Sequence, residues 1–245
     1  MATVVVTGGT GTLGSHLVPQ LRAAGHDVRV LSRRPGRGRI TGDLTTGAGL
    51  AEAVSAVDVV VHAATDPVRA KRVEVGGTER LLAAARTAEV PHLLYVSIVG
   101  VDRHAFAYYK AKWTTEQLVE ARGVPWTIFR ATQFHELLDK AFAAMRGPRI
   151  APRDFRFQVL AASEAAARIV ELVAGGPAGR ADDMGGPEVR DADDLARTWL
   201  AARGKRRPVI RVPVPGRIGR AFRDGAQLAP DHADGTITWE QWLEQ

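Results

Sequence analysis

Short β-branched apolar runs alternate with longer Ala- and Leu-rich stretches in which the apolar positions recur at helical spacing. The short runs predict strands, at Thr3–Thr7, Val28–Ser32, Val57–His62, Leu93–Ser97 and Trp126–Arg130. The longer stretches predict helices, at Leu13–Ala24, Leu50–Ala56, Thr78–Ala88 and Tyr108–Arg122. Strands that alternate with helices favour an α/β fold, a doubly wound parallel sheet of the Rossmann type.

The alternation becomes less regular after Arg130. There the pattern predicts helices at Phe134–Met145, Ser163–Ala174 and Asp191–Arg203, and strands at Phe157–Leu160 and Val209–Val212. We expect residues 1–132 to form a dinucleotide-binding core. Residues 133–245 should pack on that core, within a single structural unit, as a small C-terminal substrate-side region, because ligands of doubly wound sheets bind beyond the carboxyl ends of the strands.

Composition narrows the partners and the compartment. The chain has no cysteine, which excludes disulfides, a thiol nucleophile and thiolate metal sites. It has no long uncharged apolar run and no basic leader, so we expect a cytoplasmic protein that does not bind a membrane. We expect it to be a monomer or a homodimer. The net charge of +6 raises nucleic acid as a partner, but the arginines are scattered and no nucleic-acid-binding motif accompanies them, so we expect none.

A glycine-rich loop follows the first predicted strand and opens the first helix, in the sequence Thr7-Gly8-Gly9-Thr10-Gly11-Thr12-Leu13-Gly14. Glycines at this place let the backbone approach a pyrophosphate, and the helix N-terminus offers N–H groups to it. We therefore predict dinucleotide binding. The predicted cofactor contacts in the loop are Gly8, Thr10, Gly11, Thr12, Leu13 and Gly14.

The end of the second strand indicates which dinucleotide is bound. An NAD site usually carries an acidic residue here, whereas this chain has Ser32-Arg33-Arg34. Arginine can pair with a 2′-phosphate through its planar fork and serine can donate to it, so we predict NADP(H). The alternative is that the arginines are surface charges and that Asp43 is the nearest acidic group, although its position suits the adenine edge better.

These stretches together resemble the short-chain dehydrogenase/reductase superfamily, and within it the atypical, NmrA-like branch of NAD(P)H-binding proteins. The glycine loop matches the TGxxGxxG pattern, and Gly77–Ala85, His92–Ser97 and Gly123–Arg130 are similar to later segments of that family. The resemblance implies cofactor contacts outside the loop, at Asp43, Leu44, Ala63, Ala64, Thr65 and Ser97.

Tyr108 precedes Lys112 by four residues, which places both on one helix face. In the superfamily that this chain resembles, the lysine of such a pair holds the nicotinamide ribose and favours the phenolate, and the tyrosine moves a proton to or from the substrate oxygen. We predict that Tyr108 and Lys112 are catalytic. The alternative is a surface helix pair without chemistry, and Tyr109 and Lys110 lie in the same turn.

The superfamily's third element is a Ser or Thr just past the next strand. In Ser97-Ile98-Val99 the position two beyond Ser97 is aliphatic, and atypical members often keep only the lysine, for cofactor binding. We predict a substrate pocket at Val99, Gln133, Phe134 and His135, with packing or helix capping as the alternative for the last three residues. His135-Glu136 lacks further ligands at suitable spacing, so no metal is expected.

The leading functional hypothesis is an NADP(H)-dependent oxidoreductase that acts on a small carbonyl, enone or quinone-like compound. A second hypothesis is an NmrA-like regulatory protein that senses NADP(H) without turnover. A third is a nucleotide-sugar epimerase, which is weaker because the region after Arg130 is short and shows no second phosphate clamp.

Overall fold

The computed structural model describes all 245 residues and contains a seven-stranded parallel sheet in the order β3-β2-β1-β4-β5-β6-β9. Its strands are β1 Thr3–Thr7, β2 Asp27–Ser32, β3 Arg39–Thr41, β4 Val59–His62, β5 His92–Ile98, β6 Trp126–Ala131 and β9 Gly179–Arg180. The order reverses at β1, which pairs with both β2 and β4. The predicted Rossmann-type α/β class is therefore confirmed.

Helices accompany the strands. They are α1 Thr12–Ala23, α2 Leu50–Ala53, α3 Thr78–Thr87, α4 Ala107–Ala121, α5 His135–Ala144, α6 Ala162–Gly175, α7 Ala192–Ala202, α8 Gly216–Arg223 and α9 Trp239–Leu243. A π-helix at Lys71–Gly77 runs directly into α3, and a short 3₁₀ helix covers Pro230–His232. None of these helices has the length and apolar content needed to cross a membrane.

The central strands β1, β4 and β5 of the sheet are buried over nearly their whole length. Val4, Val5 and Val6 of β1 have no exposed surface, as expected for a parallel strand that is covered on both faces. Val5 packs in one core cluster with Leu81 of α3 and with Leu93 of β5. The continuous apolar runs read from the sequence are thus the central strands of the sheet.

The chain forms two compact units. The first comprises residues 1–97, 107–129 and 165–181, and the second comprises residues 98–106, 130–164 and 182–245. The second unit holds two small sheets, in which β7 Arg149–Pro152 pairs with β11 Val209–Val212 and β8 Arg156–Phe157 pairs with β10 Arg190–Asp191. The two units take residues from both sides of the position at which the sequence predicts a boundary, after residue 132.

Two predicted elements end three residues early in the structure. The helix expected over Leu50–Ala56 ends at Ala53, and Ala56 has a positive φ of 51°, which no helix accommodates. The strand expected over Phe157–Leu160 stops at Phe157. Beyond it the Gln158 side chain bonds the backbone of Gly186 and Ala229, and the stretch returns to β pairing only at an isolated bridge between Leu160 and Phe134.

Candidate cofactor and active site

The glycine loop connects β1 to α1 in the first unit. Gly8 has a φ of +72°, and a Cβ atom there would lie 2.6 Å from the Ala64 nitrogen. A Cβ at Gly14 would lie 2.3 Å from the Gly8 carbonyl oxygen. Both neighbours are backbone atoms that cannot rotate away, so the loop closes this tightly only with glycine at these two positions.

Helix α1 begins after Gly11 without a side-chain cap and without an acidic residue in its first turn. Its N-terminal N–H groups and its partial positive charge therefore remain suited to an anion. Thr10 and Gly11 are exposed on the loop, whereas Leu13 is buried. These features fit the pyrophosphate of a dinucleotide.

A buried histidine supports the wall opposite Gly8. The Nε2 atom of His62 lies 2.8 Å from the Thr78 hydroxyl, which donates its own hydrogen to the Glu74 carbonyl, so His62 is the donor at Nε2. Its Nδ1 atom then accepts from the Thr7 hydroxyl, at 2.7 Å, and Thr7 accepts from the Ala64 N–H. Burial lowers the pKa of His62 to about 4, so the ring is neutral. This chain fixes the backbone beside the loop.

The predicted 2′-phosphate residues follow β2. The Ser32 hydroxyl accepts a hydrogen bond from the Arg34 backbone N–H, at 3.1 Å, and so shapes the turn. The side chains of Arg33 and Arg34 are exposed. Two solvated guanidinium groups at the end of this strand are compatible with binding a phosphate, and their role stays a prediction.

Asp43 lies in the turn after β3. Its carboxylate accepts from the backbone N–H and the hydroxyl of Thr45, and these two bonds lower its pKa, assisted by the charges of Arg33 and Arg72. Arg72, on the π-helix, is a cation near this end of the site that the sequence did not single out. Leu44, the next residue, packs its side chain in the core of the first unit.

The predicted catalytic pair lies on α4. The Tyr108 hydroxyl is 2.7 Å from the Thr65 hydroxyl. The Lys112 ammonium is almost fully buried and lies 3.0 Å from the Val96 carbonyl oxygen and 3.1 Å from Glu74 Oε2. Tyr108 and Lys112 thus enter one network in the first unit, Tyr108 through Thr65 and Lys112 through Glu74.

Glu74 is the centre of that network and has no exposed surface. Its Oε1 atom accepts from the Thr65 hydroxyl and from the Asp66 N–H, and its Oε2 atom accepts from the Tyr95 hydroxyl and from Lys112. The π-helix aims this carboxylate inward. The sequence analysis did not predict Glu74. The one signal in the sequence that could have indicated a buried role is that a charged residue stands between Val73 and Val75, just before two glycines.

Charges in the network stabilise one another. Burial would raise the pKa of Glu74, but Lys112 and the Thr65 hydrogen bond lower it. Burial would lower the pKa of Lys112, but Tyr95 and Glu74 raise it. Glu74 is therefore an anion and Lys112 a cation. Burial raises the pKa of Tyr108, with Lys112 opposing the shift and Glu74 adding to it, so Tyr108 is a neutral phenol.

Ser97 ends the buried part of β5, and its hydroxyl has no hydrogen-bond partner. Ala63 and Ala64 are partly buried after β4, beside Gly8. These residues stay predicted cofactor contacts. The structure adds that the Ser97 hydroxyl is a buried polar group whose hydrogen bond no other part of the protein satisfies.

The predicted substrate residues belong to the second unit. Val99 is fully buried, and its N–H donates to the Ala131 carbonyl. Gln133 and His135 bracket Leu160, since the Leu160 N–H donates to the Gln133 carbonyl and the His135 N–H donates to the Leu160 carbonyl. Phe134 caps α5 through its backbone conformation alone. Their assignment to a substrate pocket stays a prediction.

His135 packs against two aromatic rings of α9. Its ring centroid lies 5.5 Å from that of Trp239 and 5.6 Å from that of Trp242. Both ring nitrogens are buried without a hydrogen-bond partner, and burial lowers the pKa to about 4. No three His, Cys, Asp or Glu side chains converge anywhere in the chain as ligands for a metal ion.

Comparison with known proteins gives the family. Residues 8–145 match the profile described as NAD(P)H-binding. The chain is similar to the human protein named Epimerase family protein SDR39U1, 34% identical over 154 residues, which are 59% of this chain and 49% of that protein. It is also similar to the Photosystem II assembly factor Ycf39 of Cyanophora paradoxa, 27% identical over 154 residues, 57% of this chain and 48% of that protein. The matched segment spans about half the length of these relatives.

Among solved structures, the fold resembles that of a quinone oxidoreductase. The match is to the NADPH-dependent quinone oxidoreductase QOR2 of Escherichia coli complexed with NADPH, with a TM-score of 0.83 and 17% sequence identity over 99% of both chains. At that identity the likeness shows the fold alone.

Proposed function

This chain belongs to the NAD(P)H-binding family, and on that premise we propose that it is an NADP(H)-dependent reductase of the atypical short-chain dehydrogenase/reductase type. Its substrate would be a small carbonyl, enone or quinone-like compound. The observation that carries the proposal is the chain of contacts from Tyr108 through Thr65 and Glu74 to Lys112. This chain of contacts links the Tyr108 phenol, which can donate a proton, with the buried Lys112 ammonium. Both groups lie in the unit that holds the glycine loop.

The residues divide the work between binding and proton transfer. Backbone N–H groups of the glycine loop would hold the pyrophosphate, and Arg33 and Arg34 the 2′-phosphate. Lys112 commits two N–H groups to Glu74 and Val96, and we assign its third to a ribose hydroxyl. The bound cofactor would supply the hydride for the reduction. Tyr108 would give its proton to the substrate oxygen.

Turnover tests the proposal. Purified protein should consume NADPH with at least one member of a panel of ketones, enones and quinones. Tyr108→Phe should abolish that consumption while preserving NADPH affinity, because only the proton donor is removed. Tyr109→Phe, the same change one residue along, is the matched control and should retain turnover. Consumption that survives in Tyr108→Phe contradicts the assignment.

Cofactor preference has its own test by titration calorimetry. Replacing Arg33 and Arg34 together by Ala should weaken NADPH at least tenfold, because charge-assisted hydrogen bonds are worth about 1.5–3 kcal/mol each and tenfold is about 1.4 kcal/mol. NADH should change little. Arg37→Ala, in the same exposed loop, is the control. Equal losses for the two cofactors would refute the 2′-phosphate assignment.

A sensor without turnover is the second candidate. Three observations favour it: Glu74 neutralises Lys112, the position two beyond Ser97 holds the buried Val99, and one relative is named an assembly factor. Tight NADP(H) binding without turnover of any compound in the panel would support this reading.

An epimerase is the third candidate, favoured by the name of the human relative. Such an enzyme reuses a tightly held cofactor. Exchange of substrate hydrogen without net consumption of NADPH would support it over the reductase.

A further inference from the structure

The Glu74 carboxylate stands between the two residues of the catalytic pair. One oxygen accepts a hydrogen bond from the Thr65 hydroxyl and the other pairs with the Lys112 ammonium. The same buried anion is therefore linked to Tyr108, through Thr65, and to Lys112 directly. Neither the proposed reaction nor the pattern in the sequence assigns it a task. A fully buried carboxylate with four donors is costly to place unless every contact is kept, which points to a defined role.

Hydrogen positions in the network follow from counting. The Thr65 hydroxyl has one hydrogen, and it must go to Glu74, because an ionised carboxylate only accepts. The Tyr108 hydroxyl, 2.7 Å from the Thr65 oxygen, must then be the donor in that bond. A Tyr108 phenolate would have to take the Thr65 hydrogen away from Glu74, so this arrangement favours the protonated phenol.

We propose that Glu74 is a positioning residue that keeps Tyr108 as a proton donor, by orienting its O–H through Thr65 and by neutralising the Lys112 charge that would otherwise draw off its proton. This inference deepens the proposed function and rests on it for its biological meaning. Reduction of a carbonyl requires a protonated Tyr108, whereas oxidation of an alcohol requires its phenolate. Glu74 therefore biases the site toward reduction.

Charged and titratable groups approach Tyr108 from each neighbouring element. Lys112 lies on its own helix, Glu74 on the π-helix and Tyr95 on β5. The Tyr109 ring meets it edge-on, at 6.2 Å between centroids. His62, on β4, reaches the network only as a neutral ring. Burial is the largest cause of the raised Tyr108 pKa, and the opposed charges of Glu74 and Lys112 are the two charges that act on it next.

The test is a titration of Tyr108 in the ligand-free protein. The chain has three tyrosines, so carbon-13 labelling at the ring Cζ gives three signals, and Tyr108→Phe assigns the one of interest. Glu74→Gln should lower the Tyr108 titration midpoint by about one pH unit or more, because the Lys112 charge is no longer balanced. The amide oxygen should face Lys112 and its NH₂ group Thr65, which frees the Thr65 hydrogen for a phenolate.

Further variants complete the cycle. Lys112→Met should raise the midpoint, and the double variant should return it to within about half a pH unit of the wild type. Glu79→Gln, the same change at an exposed glutamate of α3, should leave it unmoved. If Glu74→Gln does not fold, Thr65→Val serves instead. Thr65 is exposed, and loss of its hydroxyl should lower the midpoint by removing the acceptor of the phenol proton.

A merely structural role for Glu74 predicts something else. In that case both single variants leave the midpoint of Tyr108 where it was, or shift it in the same direction, and either result overturns the inference. The titration uses neither cofactor nor substrate. Absent turnover with the expected titration therefore removes only the reductase proposal, and turnover with a flat titration removes only the role of Glu74.

Discussion

The buried ion pair between Glu74 and Lys112 should contribute measurably to the free energy of unfolding. The two side chains are 0% and 4% exposed, and their charged atoms lie 3.1 Å apart. Removing either partner leaves the other as an uncompensated buried charge, which typically costs about 3–5 kcal/mol. We therefore expect Lys112→Met and Glu74→Gln each to destabilise the protein strongly.

The contacts that remain rank the two variants. In Lys112→Met the carboxylate keeps three donors, from Thr65, Asp66 and Tyr95, so we expect a loss of about 3 kcal/mol. In Glu74→Gln the ammonium loses its counter-charge and keeps only neutral partners, namely the Val96 carbonyl, the face of the Tyr95 ring and the new amide oxygen, so we expect a loss of about 4–5 kcal/mol. The double variant removes both charges and should lose less than either single one.

Urea unfolding at pH 7, followed by circular dichroism, measures these differences in the free energy of unfolding. Glu79→Gln is the exposed control and should lose under about 1 kcal/mol.

The pH dependence of stability is a second readout. The folded-state pKa of Glu74 is lowered by Lys112, so the pair contributes stability above the unfolded value of 4.5 and loses it as the pH falls through the folded value. The gap between wild type and Lys112→Met should thus narrow below about pH 4.5. Single-variant losses that simply add in the double variant would refute the coupling.

Two other predictions concern the glycine loop and the buried histidines. Gly14→Ala should weaken NADPH binding more than tenfold by calorimetry, because the new Cβ would lie 2.3 Å from the Gly8 carbonyl oxygen. Gly175→Ala, whose Cβ meets nothing within 4 Å, is the control. Equal affinities in the two variants would contradict the assignment of the glycine loop to the pyrophosphate. His62 and His92 have folded pKa values lowered by burial to about 4, against 6.5 when free, so the unfolded chain binds more protons between those values and stability should fall as the pH drops from about 6.5 to 4. A urea midpoint that stays constant over that range would contradict the neutral, buried rings.

The central strands could be read from the sequence because burial on both faces demands unbroken apolar runs. The predicted bounds of β1 and β11 coincide with the structure, and α1 and α4 differ by one residue at each end. The short β3 could not be predicted, since it is an edge strand of Arg39-Ile40-Thr41 with both polar residues exposed. Edge strands are fixed by their neighbours more than by their own pattern.

The parts of the candidate site that lie within one short segment could be predicted from the sequence. The part that depends on contacts between distant segments could not. The glycine loop and the Tyr108–Lys112 spacing are local, so the sequence displays them. Glu74 follows Lys71 and Arg72, and such a charge-rich stretch is typical of a solvated helix face. Only the π-helix, with its altered pitch, turns the carboxylate toward the loop after β4 and toward α4.

The division of the chain into units matters for anyone who wishes to study nucleotide binding in isolation. The sheet is completed by Gly179–Arg180, which pairs with β6 although some fifty residues of chain intervene. Arg180 in turn bonds Glu116 and Glu120 of α4, the helix that carries Tyr108. A fragment that stops near residue 132 would leave β6 as a bare sheet edge and the buried Glu116 carboxylate without its arginine, so a minimal binding module has to be assembled from three stretches of sequence rather than cut at one point.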